Sequence, residues 1–145
     1  MAFDDAMSAL GAELGFGLAA DGGRVRIEAS GGDGGGIAVE MSDMPGAGAV
    51  LFSAEVGDVQ SVEALQTLLE ANHLFCETSG ATLSAEAGRL YFERYVPLPA
   101  IGRGEGAAIV KAFAADALEW RRRIAGARGA PGAQMQDIPS GGIKV

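Results

Sequence analysis

A single cysteine, Cys76, leaves the chain no partner for an internal disulfide, which fits a reducing compartment. Together with that cysteine, the single histidine, His73, leaves a zinc site two ligands short, so neither a metal nor any other cofactor is expected. Aromatic residues are 6 % of the total and 23 glycines dilute the rest, so a core must come from Leu, Val, Ile, Phe and Met. No run approaches the roughly 20 apolar residues that span a bilayer, which argues against membrane insertion. Met-Ala-Phe-Asp-Asp at the start lacks the basic and apolar regions of a signal peptide. The expected location is cytoplasmic.

Basic residues are also scarce, at 11 against 19 acidic ones, for a net charge of −8. The imbalance is local. Residues 1–100 carry 15 acidic and 4 basic side chains, and residues 101–145 carry 4 and 7. So acidic a globular part repels phosphate backbones, which excludes nucleic acid as a partner class. It admits a basic polypeptide, and it also serves solubility.

What is present reads as one α+β domain over residues 1–125, followed by a Gly/Ala/Pro-rich tail, 126–145, expected to be disordered. Phe3, Met7, Leu10 and Leu14 make one apolar stripe on a first helix, with Asp4 and Asp5 at its positive end. Alternation then predicts strands over Arg24–Ala29, Ile37–Met41 and Val50–Val56. From Asp58, placed as the cap, Val62, Leu65, Leu68, Leu69 and Phe75 recur at helical spacing. Ser79-Gly80 turns the chain into two more strands, Ala81–Ala85 and Arg89–Val96. A last helix runs from Ala107 to about Ile124, with Arg121-Arg122-Arg123 at its negative end and Trp120 packed nearby. The order is α-β-β-β-α-β-β-α, and short connections make the twisted sheet antiparallel, with helices packed against it.

Sites of chemistry do not assemble from these residues, and no enzymatic activity is expected. The glycine run Ser30–Gly36 lacks the Lys-Ser/Thr of a phosphate loop and reads as a flexible hairpin loop. Gly102-Arg103-Gly104-Glu105-Gly106 opens a helix, but no strand feeds it and Glu105 opposes an anion. His73 and Cys76 are three residues apart, yet no Asn or Asp is placed to orient them, so they read as a packed thiol beside a half-exposed imidazole.

Strands with apolar residues on both faces carry more information. Leu90, Phe92 and Val96 share one face of the last strand while Tyr91 and Tyr95 hold the other, and Leu51 opposes Val50 and Phe52. Helices on one side leave the second face to a second subunit, a bound polypeptide, or both.

A helix ending in Leu69-Glu70-Ala71-Asn72, then Ser79-Gly80-Ala81-Thr82-Leu83, Gly88-Arg89-Leu90 and Val96-Pro97-Leu98, resembles the class I chaperones of bacterial type III secretion, the Tir chaperone family. The order of elements fits from about Phe3 to Ile124, and the motif lies in Leu69–Leu98. The resemblance implies an acidic, cytoplasmic, bacterial homodimer without enzymatic activity. It would bind the N-terminal region of a secreted effector in extended form and keep it soluble and secretion-competent. Carried over element by element, it implies effector contacts at Leu14, Phe16, Val25, Ile27, Val39 and Phe52. It implies a dimer interface at Leu69, Leu74, Phe75, Leu83 and Tyr91. The glycine-rich first hairpin loop and the long tail depart from the family pattern. Two other readings stand beside it: a regulatory or scaffold protein of the same fold, and a small-molecule-binding α+β domain.

Overall fold

In the computed structural model, which describes residues 1–31, 35–73, 78 and 80–129, the first apolar stripe winds as α1, Phe3–Leu14. Its inward residues Phe3, Ala6, Met7 and Leu10 are buried. The three alternating runs form β1 (Arg24–Ser30), β2 (Gly36–Met44) and β3 (Ala49–Asp58). Helix α2 (Val62–Ala71) follows, then β4 (Thr82–Glu86) and β5 (Arg89–Pro97). The five strands are antiparallel throughout, in the order β1-β2-β3-β5-β4. Between β4 and β5, Ala87 and Gly88 both take positive φ, 51° and 79°, as a two-residue type I′ turn requires.

The start of α2 differs from expectation. Asp58 is not its cap, because β3 continues two residues past Val56 to pair Gly57 with Leu90 and Asp58 with Arg89. Ser61 caps instead, its Oγ accepting from the Ala64 N–H at 3.1 Å. Ser61→Ala should cost about 1 kcal/mol, read as a shift in the urea midpoint at unchanged slope. The helix ends at Ala71, before Phe75; residues 74–77 and Ser79 lie outside the described ones.

After β5 the chain does not run as a loop. Leu98–Ala100 makes one turn, α3, and Ile101–Glu105 makes wider turns that break at Gly104, φ 87°. Ile101 is wholly buried there. The last helix, α4, spans Gly106–Gly129, past the expected end near Ile124 and into the segment read as tail; residues 130–145 lie outside the described ones. Arg121–Arg123 therefore sit within α4 rather than closing it.

Helices α1 and α4 cover one face of the sheet. Phe113 of α4 stands edge-on to Phe52 of β3 (centroids 5.5 Å apart, planes at 87°) and tilted against Phe92 of β5 at 5.3 Å. Around this wedge lie Met7, Leu10, Val39, Met41, Val50 and Val56, each at most 1 % exposed. A bulge between Glu55 and Gly57 brings β3 against α4 so closely that a Cβ on Gly57 would stand 2.8 Å from Cγ2 of Ile124.

One carboxylate ties the two helices together. Glu13 of α1 accepts from the backbone N–H groups of Gly106 and Ala107, through Oε1 and Oε2, each at 3.2 Å. The anion at the start of α4 is thus the chain's own side chain, placed where first-turn amides lack partners.

Candidate protein-binding surface

The end of α1 explains the most conspicuous apolar side chain. Gly15 takes φ 83°, and both its N–H and that of Phe16 donate to Gly11 O, at 2.9 and 3.1 Å. In this helix stop the residue at the Phe16 position ordinarily packs on the residue at the Gly11 position. Gly11 offers no side chain, and a Cβ there would stand 2.7 Å from Phe16 O. The Phe16 ring is left 53 % exposed, beside half-buried Leu14 and Leu18.

Helix α2 has apolar residues on two sides. At about 100° per residue, Ala64, Leu68 and Ala71 face one way and Val62, Leu65 and Leu69 the other. Leu68 and Ala71 are buried, whereas Val62 is 76 % and Leu69 68 % exposed. His73, also exposed, extends this outward stripe. Asn72 fastens the helix end to β4: its Nδ2 donates to Leu83 O and its Oδ1 accepts from Leu83 N–H, both at 2.8 Å.

On the sheet face opposite α1 and α4, Leu51 pairs across strands with Tyr95, and Glu55 with Tyr91. Tyr95 is 60 % exposed, and Leu51 and Tyr91 are half-buried. The same face is acidic. Glu93 accepts from Ser84 Oγ at 2.6 Å, and Glu55 holds Arg89 at 2.7 Å. That hydrogen bond from Arg89 to Glu55, more than their charge attraction, raises the guanidinium above its ordinary pKa.

The positions implied by resemblance thus fall into different environments. Phe16 and Leu69 are exposed and Leu14 and Tyr91 half-buried. Val25, Ile27, Val39, Phe52 and Leu83 are interior to the chain, the first four on the sheet face under the helices. Leu74 and Phe75 lie outside the described residues, as does Cys76. Val62 joins the exposed set with Leu69, a placement that its helical spacing from Leu65 and Leu69 already carries.

The arginine triplet is engaged internally. Arg121 donates to Gly36 O and Glu55 O at 3.1 and 2.9 Å, pinning α4 to the sheet. Arg122 and Arg123 both pair with Glu119, and Arg123 stacks 4.8 Å from the ring centroid of buried Trp120. Hydrogen bonding from Arg122 foremost lowers the Glu119 pKa below its ordinary value. A cleft of about 250 Å³ beside Arg121, lined also by Glu55, Asp58 and Ile124, falls below the roughly 300–1,000 Å³ of small-molecule sites. Among the described residues no three His, Cys, Asp or Glu side chains converge on a metal position, and no helix is long and apolar enough to cross a membrane.

No protein-family model and no curated protein matches the chain. Solved structures do share its fold. A chain of the ExsC-ExsE complex superposes with a TM-score of 0.60 at 12 % identity, over 82 % of this chain and 90 % of that one. A chain of the HopA1-SchA chaperone-effector complex gives 0.56 at 15 %, over 83 % and 90 %. A chain of the heterodimeric ExoU-SpcU complex from the type III secretion system of Pseudomonas aeruginosa gives 0.51 at 22 %, over 74 % and 97 %.

Proposed function

We propose that this chain is a class I type III secretion chaperone. Two copies bind the N-terminal segment of a secreted effector in extended form in the bacterial cytoplasm and keep it soluble and competent for export. The observation that carries this reading is the apolar surface left uncovered on an acidic domain, in two separate places. The outward stripe of α2, Val62 and Leu69, meets a second copy, with Tyr91 close to that interface. Phe16 and Leu14, at the end of α1, meet the effector. The shared fold supports it, because chains of this architecture occur in a chaperone-effector complex and in a type III secretion complex. Val25, Ile27, Val39 and Phe52 serve the reading by holding the sheet that presents these surfaces.

The direct test is purification of the tagged protein from its native bacterium. Co-purifying chains are identified by mass spectrometry and the complex mass by light scattering. Two copies holding one secreted protein through a short N-terminal region is the expected result; a lone chain, or one carrying a metabolite, overturns the reading. Phe16→Asp should leave the melting temperature within about 2 °C, as for surface changes. It should weaken capture of the co-purified client about tenfold or more, as loss of an aromatic anchor does.

A further inference from the structure

Helix α2 carries two exposed apolar anchors, Val62 and Leu69, yet the core holds little of it. Of its 10 residues only Leu68 and Ala71 are buried, with Leu65 half-buried beside them. A helix of that length is marginal by itself. So small a buried stripe leaves the tilt of α2 to be set at its ends, and both ends are tied to one hairpin, β4–β5.

Ahead of the helix, the Val59 N–H donates to Gly88 O in the hairpin turn at 2.8 Å. The turn presents that carbonyl through the positive φ of Ala87 and Gly88. At the far end, one turn past Leu69, the Asn72 carboxamide takes both backbone groups of Leu83, each at 2.8 Å. A carboxamide offers a donor and an acceptor side by side, which the outward N–H and C=O of one strand residue require. The entry to β4 is closed in a similar way. The Ala81 N–H donates to Thr78 O at 3.1 Å, and the buried Thr78 Oγ1 donates to Ala81 O at 2.6 Å. Asn72, Ala81, Leu83 and Gly88, spread along the sequence pattern from Leu69 to Leu98, therefore meet in one fastening.

We infer that Asn72 is a positioning residue for the pairing of two copies. Its side chain turns inward to β4, and it acts through α2 by fixing the tilt at which Val62 and Leu69 are presented. The inference rests on the proposed meeting of two copies through α2, and it names the residue that holds that helix in place beforehand. Without the tie, two copies must order the end of α2 as they associate, and preorganisation lost is affinity lost. The coupling is reciprocal. Pairing must in turn protect the Leu83 amide that donates to Asn72.

The test uses the full chain, with the dimer dissociation constant read by light scattering across a dilution series and amide exchange followed by NMR. Asn72→Ala removes donor and acceptor together without adding charge. It should weaken pairing about tenfold, the loss expected when half-buried backbone groups are left without partners. Amides of α2 and of Leu83 should exchange about five- to tenfold faster, while those of β3 keep their rates. In the unaltered chain, dilution to the monomer should also speed Leu83 exchange. Asn72→Asp, which keeps the acceptor and loses the donor, serves where the alanine variant fails to fold. Faster exchange in α2 with an unchanged dissociation constant overturns the positioning role. Exchange accelerated evenly over all elements overturns it too, because Asn72 would then support the whole domain and not the helix. A parent chain that stays monomeric at every concentration overturns the pairing as well, which the other two outcomes leave standing.

Discussion

Replacing Val62 and Leu69 together by aspartate should convert a dimer of this chain into a folded monomer. Neither side chain belongs to the core, at 76 % and 68 % exposure, so stability should change by little more than a surface substitution costs. In a dimer the same two residues would be desolvated on both copies. Each anchor of this kind contributes about 2 kcal/mol or more, so charging both should weaken association beyond about a thousandfold. Light scattering should show the mass falling from twice 14.7 kDa to 14.7 kDa, with the circular dichroism of the parent. A dimer mass that survives would place the interface away from the outward stripe of α2.

Phe113→Ala should have the largest effect on stability. Phe113 stands at the meeting of α4, β3 and β5, in contact with both Phe52 and Phe92. Truncating a buried phenylalanine costs about 3–5 kcal/mol, and two aromatic contacts of roughly 0.5–1.5 kcal/mol each go with it. Against a net stability of about 5–15 kcal/mol the variant should lose much of its margin. Its melting temperature should fall by roughly 10–20 °C, checked by calorimetry and by the urea midpoint. A fall of under about 2 °C would mean that the sheet and helix layers are held together elsewhere.

Much of the architecture could be read from the sequence because it is periodic. Phe3, Met7, Leu10 and Leu14 announce α1, whose end falls at Gly15 and not at the Asp21-Gly22-Gly23 turn that the composition suggests, and the alternation from Val25 to Ala29 announces β1 within a residue of its observed bounds. Periodicity failed where two signals overlapped. Asp58 and Ser61 are both good caps, and the choice depended on β5 being long enough to pair with two more residues of β3. It failed again at Leu98–Glu105, where prolines and glycines leave no period to read, yet buried Ile101 holds helical turns against the core. For the surface, alternation grouped Val25, Ile27, Val39 and Phe52 by face, yet it does not reveal which face the helices cover. Phe16 is exposed because of what Gly11 lacks, a relation between a helix stop and its own fourth-last residue. The hold of Asn72 on Leu83 spans 11 positions and has no period at all.

The carboxylate that joins α1 to α4 also sets a timetable. Glu13 leaves the ribosome 93 residues before Gly106, the first amide it will cap. At about 5–20 residues per second that is an interval of roughly 5 to 19 s, during which the whole sheet is synthesised. Throughout it, Met7 and Leu10 have no α4 to share their shelter, and the long helix, once it emerges, finds its N-terminal cap already waiting. A helix made early is therefore fastened at its end only when the helix made after the sheet arrives.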